Sequence, residues 1–439
     1  MREKGASIDV DKLEISSPKR VSRVKKGWHG FFPYYAGYPH SFANSLIASA
    51  DLPYDANVLD PWNGSGTTTF CAAELGIKSE GWDINPVMAI VARARLLSPN
   101  EGDSLRPLAL DTVRGLRTHQ RRIAECDPLL CWFDKPTAGY IRALEARIHD
   151  QLVGKEVFAA GATELHRISS LASTFYVVLF SICRKMVQRF QSSNPTWLRK
   201  PREGERKACY GREWLLNEFV QAVSAMATAL DDACMQSAGI RLTASTLRTC
   251  DTAAFSPTPA SVDLIVSSPP YCTRIDYAAA TRLELAILHP RLHLGMEELG
   301  RKMTGSTRVP KSPIEPASLW GETCLEFLDS VRKHPSRASE SYYYPTHLDY
   351  FNKMAHSLAR LKLAMKPGAL AVLVVQDSHY KEVLNDLPQI TGEIGTNIGL
   401  RLVRRVDFSL QRSMAGINRY NKVYKRRPGS LEAVLCFRL

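Results

Sequence analysis

Residues 56–97 read in order as an apolar strand "ANVLD", a tight turn "PWNGSG", a helix "TTTFCAAELGI", a second strand "KSEGWDI" and a second helix "NPVMAIVARARLL". Strands joined through a helix cannot form a hairpin, so the crossover lays them parallel and the helices cover the sheet. Gly76 falls where a helix C-cap glycine belongs. This segment alone commits the chain to an α/β fold.

The pattern then breaks and returns. From about 103 to 240 it changes to long amphipathic helical stretches, among them "AGYIRALEARIHDQLV" and "WLLNEFVQAVSAMATALDDACM", with almost no strand signal, which reads as a helical insertion. Strands resume at "IRLTASTL" (240–247), "VDLIVSS" (262–268), "ALAVLVVQD" (369–377), "RLVRRVDFSL" (401–410) and "SLEAVLCFRL" (430–439), separated at 290–345 by a polar, irregular stretch. The first 26 residues are polar and basic without periodicity and read as a mobile arm. No internal repeat is present.

Composition bounds the function class. With 439 residues, 45% hydrophobic and 23% charged, the chain is globular and long enough for a well-buried core. Its net charge of +13 suits a polyanionic partner such as nucleic acid or an acidic membrane surface, and equally a basic protein kept soluble by its lysines and arginines. Ten cysteines without a CxxC pair argue against a zinc ribbon or redox dithiol and for a reducing, cytoplasmic setting. "LASTFYVVLFSIC" (171–183) is too short to span a bilayer and reads as a buried helix; no signal segment follows the basic start, which argues against secretion. The histidines show no paired-ligand spacing, so no metal is expected.

Two features point to a ligand. "LDPWNGSGTT" (59–68) sets an acidic residue at a strand end, then Gly64 and Gly66, then a helix start, where backbone N–H groups can approach an anionic group. The dinucleotide fingerprint is incomplete, and a structural turn would look similar. Asp83, nineteen residues after Gly64, ends the next strand, where a carboxylate can accept hydrogen bonds from ribose hydroxyls; it could also cap the helix that begins near Pro86.

"DPWNGSGTTTFCAAELG" followed by "GWDINP" resembles the S-adenosylmethionine-binding motifs of DNA amino-methyltransferases, whose family form is DPFxGSGTT with an acidic residue downstream; Trp62 stands where phenylalanine is usual. The resemblance implies S-adenosylmethionine as cofactor, held by Asp60, Pro61, Trp62, Gly64, Ser65, Gly66, Thr67, Thr68, Asp83 and Ile84. "YYAGYPHSFANSLI" (34–47) is similar to the segment that closes over the methionine part in this family, which adds Pro39 and Phe42; "TCDTAAF" (249–255) lies where the family contacts the cofactor adenine, which adds Asp251. The implied fold is a Rossmann-like seven-stranded methyltransferase sheet with a large helical insertion.

"VSSPPYC" (266–272) ends an apolar strand with two prolines and resembles the family's catalytic motif, with Ser268, Pro269, Pro270 and Tyr271 in its four places. The lone pair of an exocyclic amine is delocalised into the ring. An acceptor on Ser268 and the carbonyl of Pro269 can hold both amino hydrogens and turn that lone pair toward the methyl sulfonium, which is catalysis by orientation and fixed dipoles. The prolines donate no ladder hydrogen bond and stiffen the rim, and Tyr271 would stack on a base extruded from the duplex. In the family a serine in the first place goes most often with N4-cytosine methylation.

The resemblance therefore implies a DNA (cytosine-N4)-methyltransferase acting on double-stranded DNA, beside a restriction or phage-defence nuclease. The alternatives are N6-adenine methylation, an RNA base methyltransferase, and a catalytically silent DNA-binding subunit. The expected layout is a basic arm (1–27), a cofactor half (28–100), the helical insertion (101–239), a catalytic half (240–289), a target-recognition region (290–345) and closing strands (346–439). Basic residues at "RKMTGSTRVPK" (301–311) and "QRSMAGINRYNKVYKRR" (411–427) are candidate phosphate contacts, and "SSNPTWLRKP" (192–201) suits either a nucleic-acid surface or a helix-terminating turn.

Overall fold

The structure, a computed structural model, describes residues 7–19, 32, 37–116, 122–154, 168–192, 197–236, 242–272, 277–292, 295–308, 310, 312–410 and 430–439. The first α/β segment holds α1 (His40–Ser49), β1 (Asn57–Asp60), α2 (Thr67–Glu74), β2 (Lys78–Asp83) and α3 (Pro86–Arg95). A helical block follows, made of α4 (Gly102–Arg114), α5 (Lys135–Leu152), α6 (Ser170–Met186) and α7 (Arg212–Gln236). Then come β3 (Ser245–Thr249), β4 (Val262–Ser267), α8 (Tyr277–Ala280), α9 (Arg282–Leu288), α10 (Met296–Lys302), α11 (Glu322–Lys333) and α12 (Tyr344–Ala364). The chain closes with β5 (Met365–Gln376), the short hairpin β6 (Ser378–Tyr380) and β7 (Val383–Asn385), α13 (Leu387–Asn397), β8 (Arg401–Leu410) and β9 (Ser430–Arg438).

Seven strands form one sheet in the order β3-β2-β1-β4-β5-β9-β8. The first five run parallel, and β9 inserts antiparallel between β5 and β8. This is the mostly parallel, Rossmann-like sheet that the sequence implied. Its strands are buried on both faces, which is why they read as continuous apolar runs. Alternate residues divide between two cores. Val58, Leu264, Val266, Val372, Val374 and Val434 pack with α1 and α2, whereas Leu59, Ile265, Leu373, Val375, Leu435 and Phe437 pack under α11, α12 and α13.

Three expectations need correction. Part of the supposed arm is packed: Ile8 and Leu13 are buried, and Arg404 donates to the carbonyls of Val10 (2.7 Å) and Leu13 (3.1 Å), tying residues 7–19 to β8. The 290–345 region is not irregular throughout, because α11 buries Cys324, Phe327, Leu328 and Val331 against the sheet. β3 begins at Ser245 rather than near 240; the N–H of Thr243 goes instead to the carbonyl of Ala73 (3.1 Å).

The helical block has a core of its own, into which α3 and α9 are drawn. Its grip on α9 is ionic as well as apolar. Arg184 on α6 binds the fully buried Glu284 (Nη2–Oε2 3.0 Å) and the carbonyl of Ala280 (2.6 Å). Arg142 on α5 binds the carbonyls of Ala286 and Ile287 and the Asp127 carboxylate, and Arg291 binds Glu145 (2.9 Å). The block therefore joins the helix after β2 to the helix that follows the β4 loop. The nine cysteines whose side chains are described are all free. Among the described residues no helix is long and apolar enough to cross a membrane.

Arg184→Met strands the Glu284 carboxylate in the interior. The variant is expected to lose about 3–5 kcal/mol of unfolding free energy, measured by denaturant titration.

Candidate functional site

The order β2-β1-β4 makes β1 the point where the chain reverses its direction of travel across the sheet, and ligands of open α/β sheets bind beyond the carboxyl ends of the strands at such a point. The loops after β1, β2, β3 and β4 meet there.

Asp60, the last residue of β1, is buried and ties them together. Its Oδ1 accepts from Ser267 Oγ at the end of β4 (2.5 Å) and from the N–H of Trp62 (3.1 Å); its Oδ2 accepts from Thr68 Oγ1 in the first turn of α2 (2.6 Å) and from the Tyr38 hydroxyl (3.5 Å). Tyr38, which the sequence reading did not single out, also bonds Thr68 (2.5 Å) and the carbonyl of Val266 (3.1 Å). Burial pushes the Asp60 carboxyl up to about 6, against the pull of these donors. With Ser267, Trp62 and Thr68 donating to its two oxygens and Tyr38 alongside, Asp60 braces the cleft.

The glycine turn stands on this brace. Gly66 N–H closes onto the carbonyl of Asn63 (2.7 Å), Asn63 N–H donates to the carbonyl of Trp82 (2.8 Å), and Asn63 Oδ1 accepts from Thr69 (3.1 Å). Gly66 has φ +80°, and a Cβ there would lie 2.7 Å from the Cβ of Ala92, so neither the backbone nor the space admits another residue. Pro61, Asn63, Ser65, Thr67 and Thr68 are buried beneath the turn, with Trp62 half-buried beside it. Thr67 Oγ1 accepts from Arg95 (3.2 Å).

Asp83 does not cap α3; Asn85 does, by accepting from the N–H of Val87 (3.1 Å). Instead Asp83 Oδ2 accepts from the N–H of Gly64 (2.9 Å) and Oδ1 from the N–H of Asn85 (2.7 Å). Burial, and secondarily the charge of Asp60, push its carboxyl up to about 7 against these two N–H donors. Two further lone pairs remain for hydroxyl donors. Ile84 packs half-buried against the helical block. The 249–255 loop lies alongside: Thr252 Oγ1 donates to the carbonyl of Pro61 (2.5 Å), Cys250 N–H donates to the carbonyl of Asp83 (3.2 Å), and Asp251 is half-buried with Oδ1 on the N–H of Ala253 (3.0 Å). Burial raises the Asp251 carboxyl, opposed by the Ala253 N–H and by Lys353 and Lys302.

Beyond β4, Ser267 turns down to Asp60 while Ser268, Pro269, Pro270 and Tyr271 form the rim. The Pro270 carbonyl accepts from Tyr350 on α12 (2.8 Å), and the Cys272 carbonyl accepts from Ser378 (3.0 Å). Ser268 Oγ donates to the Tyr271 hydroxyl (3.3 Å), which donates to Glu432 on β9 (2.9 Å). Glu432, like Tyr38 and Asn63, is a site residue that motif reading missed.

Other candidates stand elsewhere. Pro39 only precedes α1 as its N-cap, and Phe42 is fully buried beside the Tyr38 ring (4.9 Å), so Phe42 props the cleft and does not line it. In the 301–311 stretch Arg301 and Lys302 pair with Glu297 (2.9 Å) and Glu298 (3.0 Å). Arg199 in "SSNPTWLRKP" is held by both oxygens of Glu205. The 411–427 stretch lies outside the described residues. Among those described, only His40, Cys71 and Glu74 bring metal-ligand atoms within 4.8 Å of one another; His40 is bonded to Glu74, and the Cys71 thiol, raised by burial, donates to the His40 carbonyl (3.6 Å).

The turn fits the nucleoside cofactor that the motifs imply, in that a side chain at Gly66 would fill the cradle and the half-buried carboxylate of Asp83 adjoins it. No protein-family model matches the chain. A stretch of 84 residues, 18% of this chain, is 34% identical to the Type II methyltransferase M.BsoBI of Geobacillus stearothermophilus; the match spans 16% of that protein.

Two outcomes are expected. Gly66→Ala should cost about 1–3 kcal/mol of stability through backbone strain and abolish cofactor binding, measured by thermal unfolding and calorimetry. An ionised Asp83 accepts ribose hydroxyls best, so binding lowers its pKa. Cofactor affinity is then full above the free-protein value of about 7 and declines as pH falls through it. Asp83→Asn should flatten this profile, and Asp83→Ala should weaken binding by about 1–3 kcal/mol.

Proposed function

We propose that the chain is an S-adenosylmethionine-dependent DNA amino-methyltransferase that acts in the cytoplasm on N4 of a cytosine turned out of the duplex. The observation that carries this reading is the hydrogen bond from Ser267 to Asp60, which sets the glycine turn after β1 beside the serine-proline-proline-tyrosine rim after β4. The short match to a Type II methyltransferase supports the general class. The serine in the first place of the rim supports cytosine.

On this reading the cofactor supplies an electrophilic methyl group. The Gly64–Gly66 turn, without side chains, lets the cofactor lie close against the backbone, the N-terminus of α2 favours its carboxylate, and Asp83 accepts from its ribose, with Asp251 at the adenine end. Ser268 Oγ and the Pro269 carbonyl hold the two amino hydrogens of the target, so that its lone pair points across the cleft; the fixed rim does this without reorganising. Tyr271 stacks on the extruded base. Cations of the 411–427 segment contact phosphate, and residues 290–345 are assigned to target recognition. A partner restriction or defence nuclease belongs to the same reading through the family resemblance alone.

Incubation of the protein with labelled S-adenosylmethionine and unmethylated genomic DNA, followed by nucleoside analysis, is expected to give N4-methylcytosine. N6-methyladenine would move the assignment to adenine, label in RNA alone would move it to RNA, and no transfer with no cofactor binding would leave a silent DNA-binding subunit. Ser268→Ala is expected to lower turnover about 10²–10³-fold, as for a lost fixed dipole, with cofactor affinity unchanged within a few-fold.

A further inference from the structure

Ser268 can hold an amino hydrogen only with a lone pair, so its own proton must point elsewhere. The structure supplies a place for it. Ser268 Oγ donates to the Tyr271 hydroxyl (3.3 Å), and Tyr271 donates to Glu432 Oε1 (2.9 Å). An ionised carboxylate can only accept. It therefore obliges Tyr271 to donate to it and to accept from Ser268, which leaves the lone pairs of Ser268 for the substrate. A protonated Glu432 can donate instead, and the whole chain can reverse.

We propose that Glu432 is a positioning residue and terminal proton acceptor for Ser268, acting through Tyr271. This inference rests on the amino-methyltransferase reading above. Once the target nitrogen has gained its methyl group it carries one surplus proton. Its N–H bond breaks as a bond to Ser268 Oγ forms, the former Ser268 proton passes to the Tyr271 oxygen, and the former Tyr271 proton passes to Glu432. The amine ends neutral and the carboxylate ends as a carboxylic acid; no electrons are exchanged with any other group.

The surroundings of Glu432 suit an acceptor. It is buried, and burial raises its carboxyl, opposed by the Tyr271 hydrogen bond and by the charge of Lys19. Tyr271 faces it from the catalytic rim and Lys19 from the N-terminal segment. Gln376 pairs with it from β5 and Phe408 from β8, and Asp377 follows Gln376 at the end of β5. A carboxyl so raised stays protonated, and the chain reversible, to a higher pH than an exposed glutamate. Turnover should therefore rise with pH through an acid limb as Glu432 ionises.

The test is methylation of unmethylated DNA, under single-turnover and steady-state conditions across pH, by the wild type and by Glu432→Gln, Glu432→Asp and Tyr271→Phe. Glu432→Gln is expected to lower kcat about 10²-fold, in the range for a lost proton-transfer partner, to flatten the acid limb, and to leave the KM for DNA and for cofactor within a few-fold. Glu432→Asp should restore part of the rate and the limb. Wild-type kcat and pH profile in Glu432→Gln would overturn the proposal, as would a fall in kcat matched by an equal loss of cofactor affinity. If Glu432→Gln does not fold, Tyr271→Phe carries the test: the proposal requires it to lose the limb, and a retained limb overturns it. A wild type that methylates no DNA would remove the enzymatic reading and this inference together. An active wild type with an indifferent Glu432 would remove the inference alone.

Discussion

The Asp60 carboxylate is the interaction on which the rest of the site depends. Trp62 in the glycine turn, Thr68 at the start of α2 and Ser267 at the end of β4 donate to it, and the Tyr38 hydroxyl before α1, 3.5 Å away, shares its one proton among Asp60, Thr68 and the carbonyl of Val266. A charge taken out of water in this way is costly unless donors meet it, and here both carboxylate oxygens have one. Moving any one of the four segments would leave a buried charge short of a partner. The spacing between the β1 turn and the β4 rim is thus fixed by electrostatics as well as by the strand ladder.

Much of the sheet was legible because its strands are continuous apolar runs ending at turn residues, as at "VDLIV" before Ser267. The two loops were legible because glycine and proline punctuate them. Other site residues escaped. Tyr38 and Glu432 work through partners far away in sequence, and Asn63 through the fold of its own turn; Glu432, 161 residues from Tyr271, sits in "SLEAVLCFRL" like any strand-end glutamate. Helix α11 escaped for a different reason. Its apolar residues 324, 327, 328 and 331 follow helical spacing, but the polar composition of 290–345 hid that period. Phe42 and Asp60 illustrate a different limit, since a motif position does not distinguish a residue that touches a ligand from one that supports its neighbours.

The helical block gives the site a second frame. Its core takes in α3, which presses Ala92 against the glycine turn, and α9, which follows the rim after β4. Arg142 and Arg184 each reach a carboxylate or carbonyl of α9 or its flanks, and Arg291, just after α9, reaches back to Glu145 on α5. Both halves of the cleft are thus pinned from outside the sheet, so their separation does not rest on the strand ladder alone.

The contact between Asp60 and Ser267 also joins residues 207 positions apart, with the whole helical block between them. Open-loop closure becomes only about 0.6 kcal/mol dearer for each doubling of length, yet pairings between remote segments are slow to find. The helices, whose backbone hydrogen bonds are local, can form first, and their packing brings the two strands within reach. The central seam of the sheet is then among the last joints to close during folding, and a partly folded chain lacks the cleft even when most of its helices are already in place.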